Sequence, residues 1–126
     1  MPLDLGFALD SPLPPGTKGL PLVADGFRVA DVGRAGWNLL AGDLPLPAAV
    51  LKARALDGNM AAMQAYVASH GAMLAPHGKT SMCPQLFARQ LQAGAWGITV
   101  ATLPQAVVCV RLGVGRILIA NQIVGE

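Results

Sequence analysis

Three glycines frame this chain. Gly71, Gly94 and Gly113 lie 23 and 19 positions apart, each ending a helix-like stretch and each followed within a few residues by a short apolar run. Glycine ends helices readily because it enters the left-handed conformation without a steric penalty. Helix, stop and strand repeated at this spacing imply right-handed crossovers onto one parallel sheet, an α/β fold. From Asp57 a helix is expected, with Leu56, Met60, Met63 and Val67 on one face, Asp57 as its cap and Gly71 as its stop. Residues 72–75 then read as a strand. Pro84 suits the first turn of a second helix, whose face is Leu86, Phe87, Gln90 and Leu91, before a strand over 97–101. Thr102-Leu103-Pro104-Gln105 matches a capping box and opens a third helix, which Gly113 ends before the strand 117–120. The strands are apolar throughout, as a sheet covered on both faces requires. Residues 48–55 read as a further short strand, although their alanines and alternating basic residues also permit a helix.

The first 47 residues are different. They hold seven of the ten prolines and seven of the fifteen glycines, which excludes long regular elements. Residues 1–45 are therefore expected to form an irregular arm, with one short helix near 37–40, and residues 46–126 a separate α/β part. Charged residues are only 13% of the 126 and apolar ones 53%, against roughly 25% charged in a typical soluble domain. So few charges cannot coat a chain of this size, which points to a piece of a larger structure. A net charge of +2 argues against a dedicated nucleic-acid binder. The uncharged stretch 90–110 is broken by Gln90, Gln92, Gly94, Gly97, Thr99, Thr102, Pro104 and Gln105, so it reads as buried elements and not as a membrane span. With no secretory signal and two cysteines 26 positions apart, Cys83 and Cys109, the expectation is a cytoplasmic protein with reduced thiols.

Residues 58–125 contain no acidic side chain. That removes paired carboxylates, a local Ser-His-Asp triad and a carboxylate metal cage from the α/β part. The same stretch carries Lys79, Arg89, Arg111 and Arg116, which would welcome an anionic ligand. Lys79 is the fixed charge between Asp57 and Arg89, in the run Pro76-His77-Gly78-Lys79-Thr80, after one expected strand and before a helix. In a parallel α/β sheet that is the C-terminal rim, where sites gather. An amine desolvated there becomes nucleophilic toward aldehydes, the property a Schiff-base lysine needs; the plainer reading is a solvated loop lysine. His77 would share a face with Lys79 in extended backbone, as a ring-stacking partner, an acid/base group or a hydrogen-bonded loop histidine. Thr99 and Asn121, in or just after the next two strands, face the same rim or satisfy strand ends. His70, in the last turn of its helix, reads as structural. Cys83 reads as a helix-start residue and Cys109 as core; no metal-ligand spacing is present.

The run 76–80, followed by Pro84, Gln90-Leu91, residues 93–101 and Ile117-Leu118-Ile119-Ala120-Asn121, resembles the D-threonine aldolase and D-serine dehydratase family over about residues 46–125. These are fold-type III pyridoxal-phosphate enzymes related to alanine racemase, and the proline-rich arm is closer to their bacterial amino acid deaminase branch. The resemblance implies the N-terminal part of a (β/α)₈ TIM-like barrel, cut after about three βα units. In the whole enzymes a β domain follows, usually in a homodimer. It implies pyridoxal 5'-phosphate as cofactor, held in a Schiff base by Lys79, with His77, Thr99 and Asn121 beside it. The substrate would be a D-amino acid of the serine or threonine type, deaminated to a keto acid and ammonia. Alternatives are retro-aldol cleavage to glycine and an aldehyde, or cofactor binding without turnover. The family's phosphate loops and divalent-metal ligands belong to later segments, so this stretch alone is expected to be inactive. Family members often continue Lys-Thr-His-Lys, whereas here Thr80 is followed by Ser81 and Met82.

Overall fold

A computed structural model describes residues 2–124. The chain divides into two compact units, one formed by residues 6–51 and the other by residues 2–5 together with 52–124.

The unit of residues 6–51 has no long element, as its prolines require. It contains the short helices α1 (Gly6–Leu9) and α2 (Val29–Val32) and a 3₁₀ turn at Leu39–Ala41. The helix expected near 37–40 is thus this 3₁₀ turn, capped by the Asn38 side chain, which accepts from the Leu40 N–H at 2.9 Å. Local polar contacts set the shape. Arg28 pairs with Asp10 at 2.9 Å and Arg34 with Asp31 at 2.7 Å, while the Arg28 N–H donates to Asp31 Oδ2 at 2.9 Å. That backbone bond, reinforced by the Arg34 guanidinium, holds the Asp31 carboxyl below the usual carboxylate range. Phe27 and Trp37 stack with ring centres 5.7 Å apart.

The second unit contains α3 (Ala53–Ser69), α4 (Pro84–Gln92), β1 (Ile98–Val100), α5 (Leu103–Arg111) and β2 (Ile117–Ile119). β1 and β2 pair in parallel, Ile98 beside Ile117 and Val100 beside Ile119, with α5 as the crossover. Their core is Phe87, Ile98, Val100, Ala106, Cys109, Leu112 and Val114. Leu3 and Leu5 pack against it, and the Asp4 N–H donates to the Leu112 carbonyl at 2.9 Å, so the first residues belong with the sheet and not with the arm that follows them. The glycine stops hold: Gly71, Gly94 and Gly113 have φ of 63°, 105° and 79°.

Several local expectations are corrected. Residues 48–52 form no strand: they are exposed, and the helix begins at Ala53. Asp57 therefore lies inside α3, not at its cap, and ion-pairs with Arg89 of α4. Met63 is 48% exposed, because the inward line runs Leu56, Met60, Gln64 and Val67, and the Gln64 Nε2 is buried without a hydrogen-bond partner among the described residues. Residues 72–75 are extended but form no full strand; one parallel bridge, His77 to Thr99, joins their segment to β1. Pro76 has no N–H to lengthen that ladder. Thr102 makes no side-chain cap, and Gln105 reaches one residue further back to accept from the Ala101 N–H at 2.9 Å. β1 is buried throughout, but β2 is not: Leu118 is 49% exposed, having no cover on that face among the described residues. On α5, Val107 and Val110 are also left exposed.

Candidate functional site

Residues 74–78 run beside β1 through four hydrogen bonds that fix their register. The Trp96 N–H donates to the Leu74 carbonyl at 2.7 Å, the Thr99 N–H to Pro76 at 2.9 Å and the Gly78 N–H to Thr99 at 2.7 Å. The fourth is a side chain: the Thr99 hydroxyl donates to the Ala75 carbonyl at 2.6 Å. On the far side of β1, the Ala120 N–H donates to the Val100 carbonyl at 2.9 Å. Three segments therefore run in one direction and end at one rim. Lys79 stands in the turn just past the His77 bridge, and Asn121 follows β2.

Gly78 sets the approach to that turn. A Cβ on it would meet the Phe87 ring at 2.6 Å and the Ile98 side chain at 3.1 Å, so only glycine lets the backbone sit this close to the core. The Met82 N–H then donates to the Gly78 carbonyl at 2.9 Å, closing a loop in which Met82 takes a left-handed φ of 43° before Cys83 leads into α4. A cavity of about 120 Å³ lies beside this loop, walled in part by His77, Ser81, Phe87 and Gln90.

The four expected site residues are placed differently from one another. Lys79 is exposed on the turn, and the described residues around it do not bury its amine. His77 is also exposed; its Nδ1 accepts from the Lys79 N–H at 3.4 Å, so its ring turns onto the backbone of the lysine. Thr99 is 5% exposed and its hydroxyl proton is committed to Ala75, which makes it a clasp between segment and strand. Asn121 is exposed, and its Oδ1 accepts from the Gln122 N–H at 2.9 Å. Thus His77 and Lys79 are brought together and Thr99 is tied beneath them. The roles of Gly78 and Phe87 were missed; the signal was present in a glycine lodged between His77 and Lys79.

His70 caps α3, with Nδ1 2.8 Å from the Tyr66 carbonyl and its ring stacked on Tyr66 at 4.4 Å. Cys83 is the residue before α4, and Cys109 is fully buried, where desolvation pushes its thiol pKa up. Among the described residues no three His, Cys, Asp or Glu side chains are grouped to hold a metal, and no helix is long and apolar enough to cross a membrane. A cleft of about 570 Å³ lies away from Lys79, where Trp96, Gly115 and Arg116 precede the strands. The Arg116 guanidinium stands there 5.5 Å over the Trp96 ring.

No family model matches the chain. Individual proteins do. The chain is 38% identical over 79 residues to the D-threonine aldolase of an Arthrobacter species, covering 63% of this chain and 21% of the relative. It is 44% identical over 63 residues to the D-threo-3-hydroxyaspartate dehydratase of Delftia sp. (strain HT23), covering 50% and 17%. The crystal structure of D-threonine aldolase from Filomicrobium marinum superposes with a TM-score of 0.62 at 34% identity, over 66% of this chain and 22% of that one. The chain spans about a fifth of the length of these relatives. The small parallel sheet thus matches part of a D-threonine aldolase, and over the matched part the chain is similar to D-amino acid enzymes of the fold-type III pyridoxal-phosphate family.

Proposed function

We propose that this chain is the opening part of a pyridoxal-phosphate lyase acting on D-amino acids that carry a 3-hydroxyl group, with Lys79 as the residue that holds the cofactor. The observation that carries the proposal is the position of Lys79, on the first turn beyond a parallel ladder at the rim where the segment 74–78, β1 and β2 all end. The names of the relatives support the substrate class: D-threonine and D-threo-3-hydroxyaspartate are both D-amino acids hydroxylated at the same carbon.

The donor set fits the cofactor in one respect, a primary amine free to condense with an aldehyde. It does not fit in another. The Thr99 hydroxyl is already spent on the Ala75 carbonyl, so Thr99 serves the site by fixing the lysine-bearing segment and not as a ligand. When bound, the cofactor supplies an electron sink for charge developing at the substrate Cα. The Lys79 Nζ would hold it, and the same nitrogen would move a proton to or from the substrate Cα. The walls that would exclude water from Lys79, the phosphate loops and any divalent-metal ligands fall to the remaining four fifths of a protein as long as its relatives. On this reading the 126 residues are inactive alone, and the fold is the first third of a (β/α)₈ barrel beginning near residue 46, preceded by the arm. The whole protein would be a cytoplasmic homodimer.

Deamination and retro-aldol cleavage both remain readings of the same site, since one relative is named a dehydratase and another an aldolase. In the full-length protein, D-serine, D-threonine and D-threo-3-hydroxyaspartate should yield keto acid and ammonia in the first case, and glycine with an aldehyde in the second. The site itself is tested on the present chain by incubation with pyridoxal phosphate, borohydride reduction and peptide mapping. Label should appear on Lys79 and vanish in Lys79→Arg. Label spread evenly over Lys18, Lys52 and Lys79 would refute the assignment.

A further inference from the structure

We infer that His77 is a positioning residue for Lys79, acting through its Nδ1 on the backbone of the turn and not through its Nε2 on a ligand. The polypeptide leading to Lys79 is held tightly on one side. The His77 backbone is bridged to Thr99, the Gly78 N–H is bonded to the Thr99 carbonyl, and the Gly78 Cα is pressed against Phe87. Beyond Lys79, the Met82 N–H returns to the Gly78 carbonyl. Between these two anchors the Lys79 N–H is taken by the His77 ring, at 3.4 Å.

That acceptor role fixes the chemistry of the ring. A neutral imidazole that accepts at Nδ1 carries its proton on Nε2. Protonation turns Nδ1 into a donor facing another donor, so the bond is lost when the ring becomes charged. Ser81, Leu86, Phe87, Gln90 and Ile98, which share the cavity beside the ring, carry no ionisable side chain, and the charged neighbour along the segment is Lys79 itself. The lysine turn is therefore clasped when His77 is neutral and loosened when it is charged. The bond is long and both residues are exposed, so the effect is modest, about fivefold in opening of the Lys79 amide.

The functional meaning rests on Lys79 being the cofactor lysine; the bond does not, and the experiment separates the two. In the 126-residue chain, the Lys79 amide resonance should follow the same midpoint as the His77 ring when pH is varied. Its protection from hydrogen exchange, taken relative to His77→Ala at each pH, should fall about fivefold as the ring charges. An Asn side chain can present its oxygen where Nδ1 stood, and a Gln side chain where Nε2 stood. His77→Asn should therefore retain the Lys79 amide protection, while His77→Gln and His77→Ala lose it, and labelling of Lys79 by pyridoxal phosphate after reduction should rank the variants in the same order. A Lys79 amide indifferent to the ring, or rescue by Gln where Asn fails, overturns the inference. If the amide follows the ring but Lys79 is never labelled, the positioning bond is upheld and the cofactor reading falls.

Discussion

The two units reach order by opposite means. Residues 6–51 are shaped by polar contacts between near neighbours: Asp31 with Arg28 and Arg34, Asn38 with Leu40, and the Asn38 N–H with Asp43 at 2.7 Å. Arg28 and Asp10 make the longer link. Residues 52–124 hold one carboxylate, Asp57, and are organised by Ile98, Val100, Cys109 and Leu112, all at 1% exposure or less. A proline-rich chain cannot donate the backbone hydrogen bonds of long elements, so it depends on side chains that reach two to five residues away. The repeating unit meets its backbone hydrogen bonds internally and depends on burial. It follows that the first unit should respond to charge and pH, and the second to volume.

The sharpest test of volume is Gly97. A Cβ there would lie 2.5 Å from the Arg116 carbonyl oxygen, and neither backbone can give way without shifting β1 against β2. Gly97→Ala should cost about 3 kcal/mol in urea unfolding of the chain, with the slope unchanged. A midpoint like that of the wild type would mean that the register of the two strands is looser than described. Gly78→Ala comes next, at about 2 kcal/mol, because the obstacle is the tip of a buried Phe87 ring. It should also move the Lys79 amide resonance, which Gly97→Ala should affect less. Cys109→Ser exchanges a desolvated thiol for a hydroxyl that has lost water, at about 1–2 kcal/mol; thermal unfolding would detect it, and a neutral result would mean that water reaches the core.

The smallest effects belong to the first unit. Because the folded pKa of Asp31 is depressed, its contribution is present above the carboxylate's unfolded value and is lost as pH falls through the folded one. Asp31→Asn should flatten the dependence of this unit on pH below about 4 and leave it unchanged near neutrality. Carboxylate titration by NMR is the measurement. If Asp31 titrates in the ordinary carboxylate range, the picture of the arm as a set of local polar staples is wrong.

Much of the repeat was legible from residues alone. The glycine stops, Pro84 at a helix start, and β1 within 97–101 follow from local rules acting over a few positions, and each is present. What failed was whatever needed a partner. The strand expected at 48–55 forms no pairing, because the helix α3 begins at Ala53, and the one at 72–75 met β1 through a single bridge. Asp57 had the right chemistry to cap a helix, yet Lys52 precedes the first turn and Asp57 is paired with Arg89, 32 positions away. At the site, Lys79 was marked by being the one charge in its stretch, whereas the task of Thr99 depended on where Ala75 would lie.

By itself the order of residues determined the alternation of helix and strand, the parallel sense of the sheet and the placing of Lys79 past its first segment, since periodicity, glycine and proline act within a turn of chain. Tertiary structure decided which polar groups were consumed. Thr99 was drawn under the lysine and His77 turned onto its backbone because hydrogen bonds are claimed by whichever partner packing brings within reach, and no spacing along the chain records that distance.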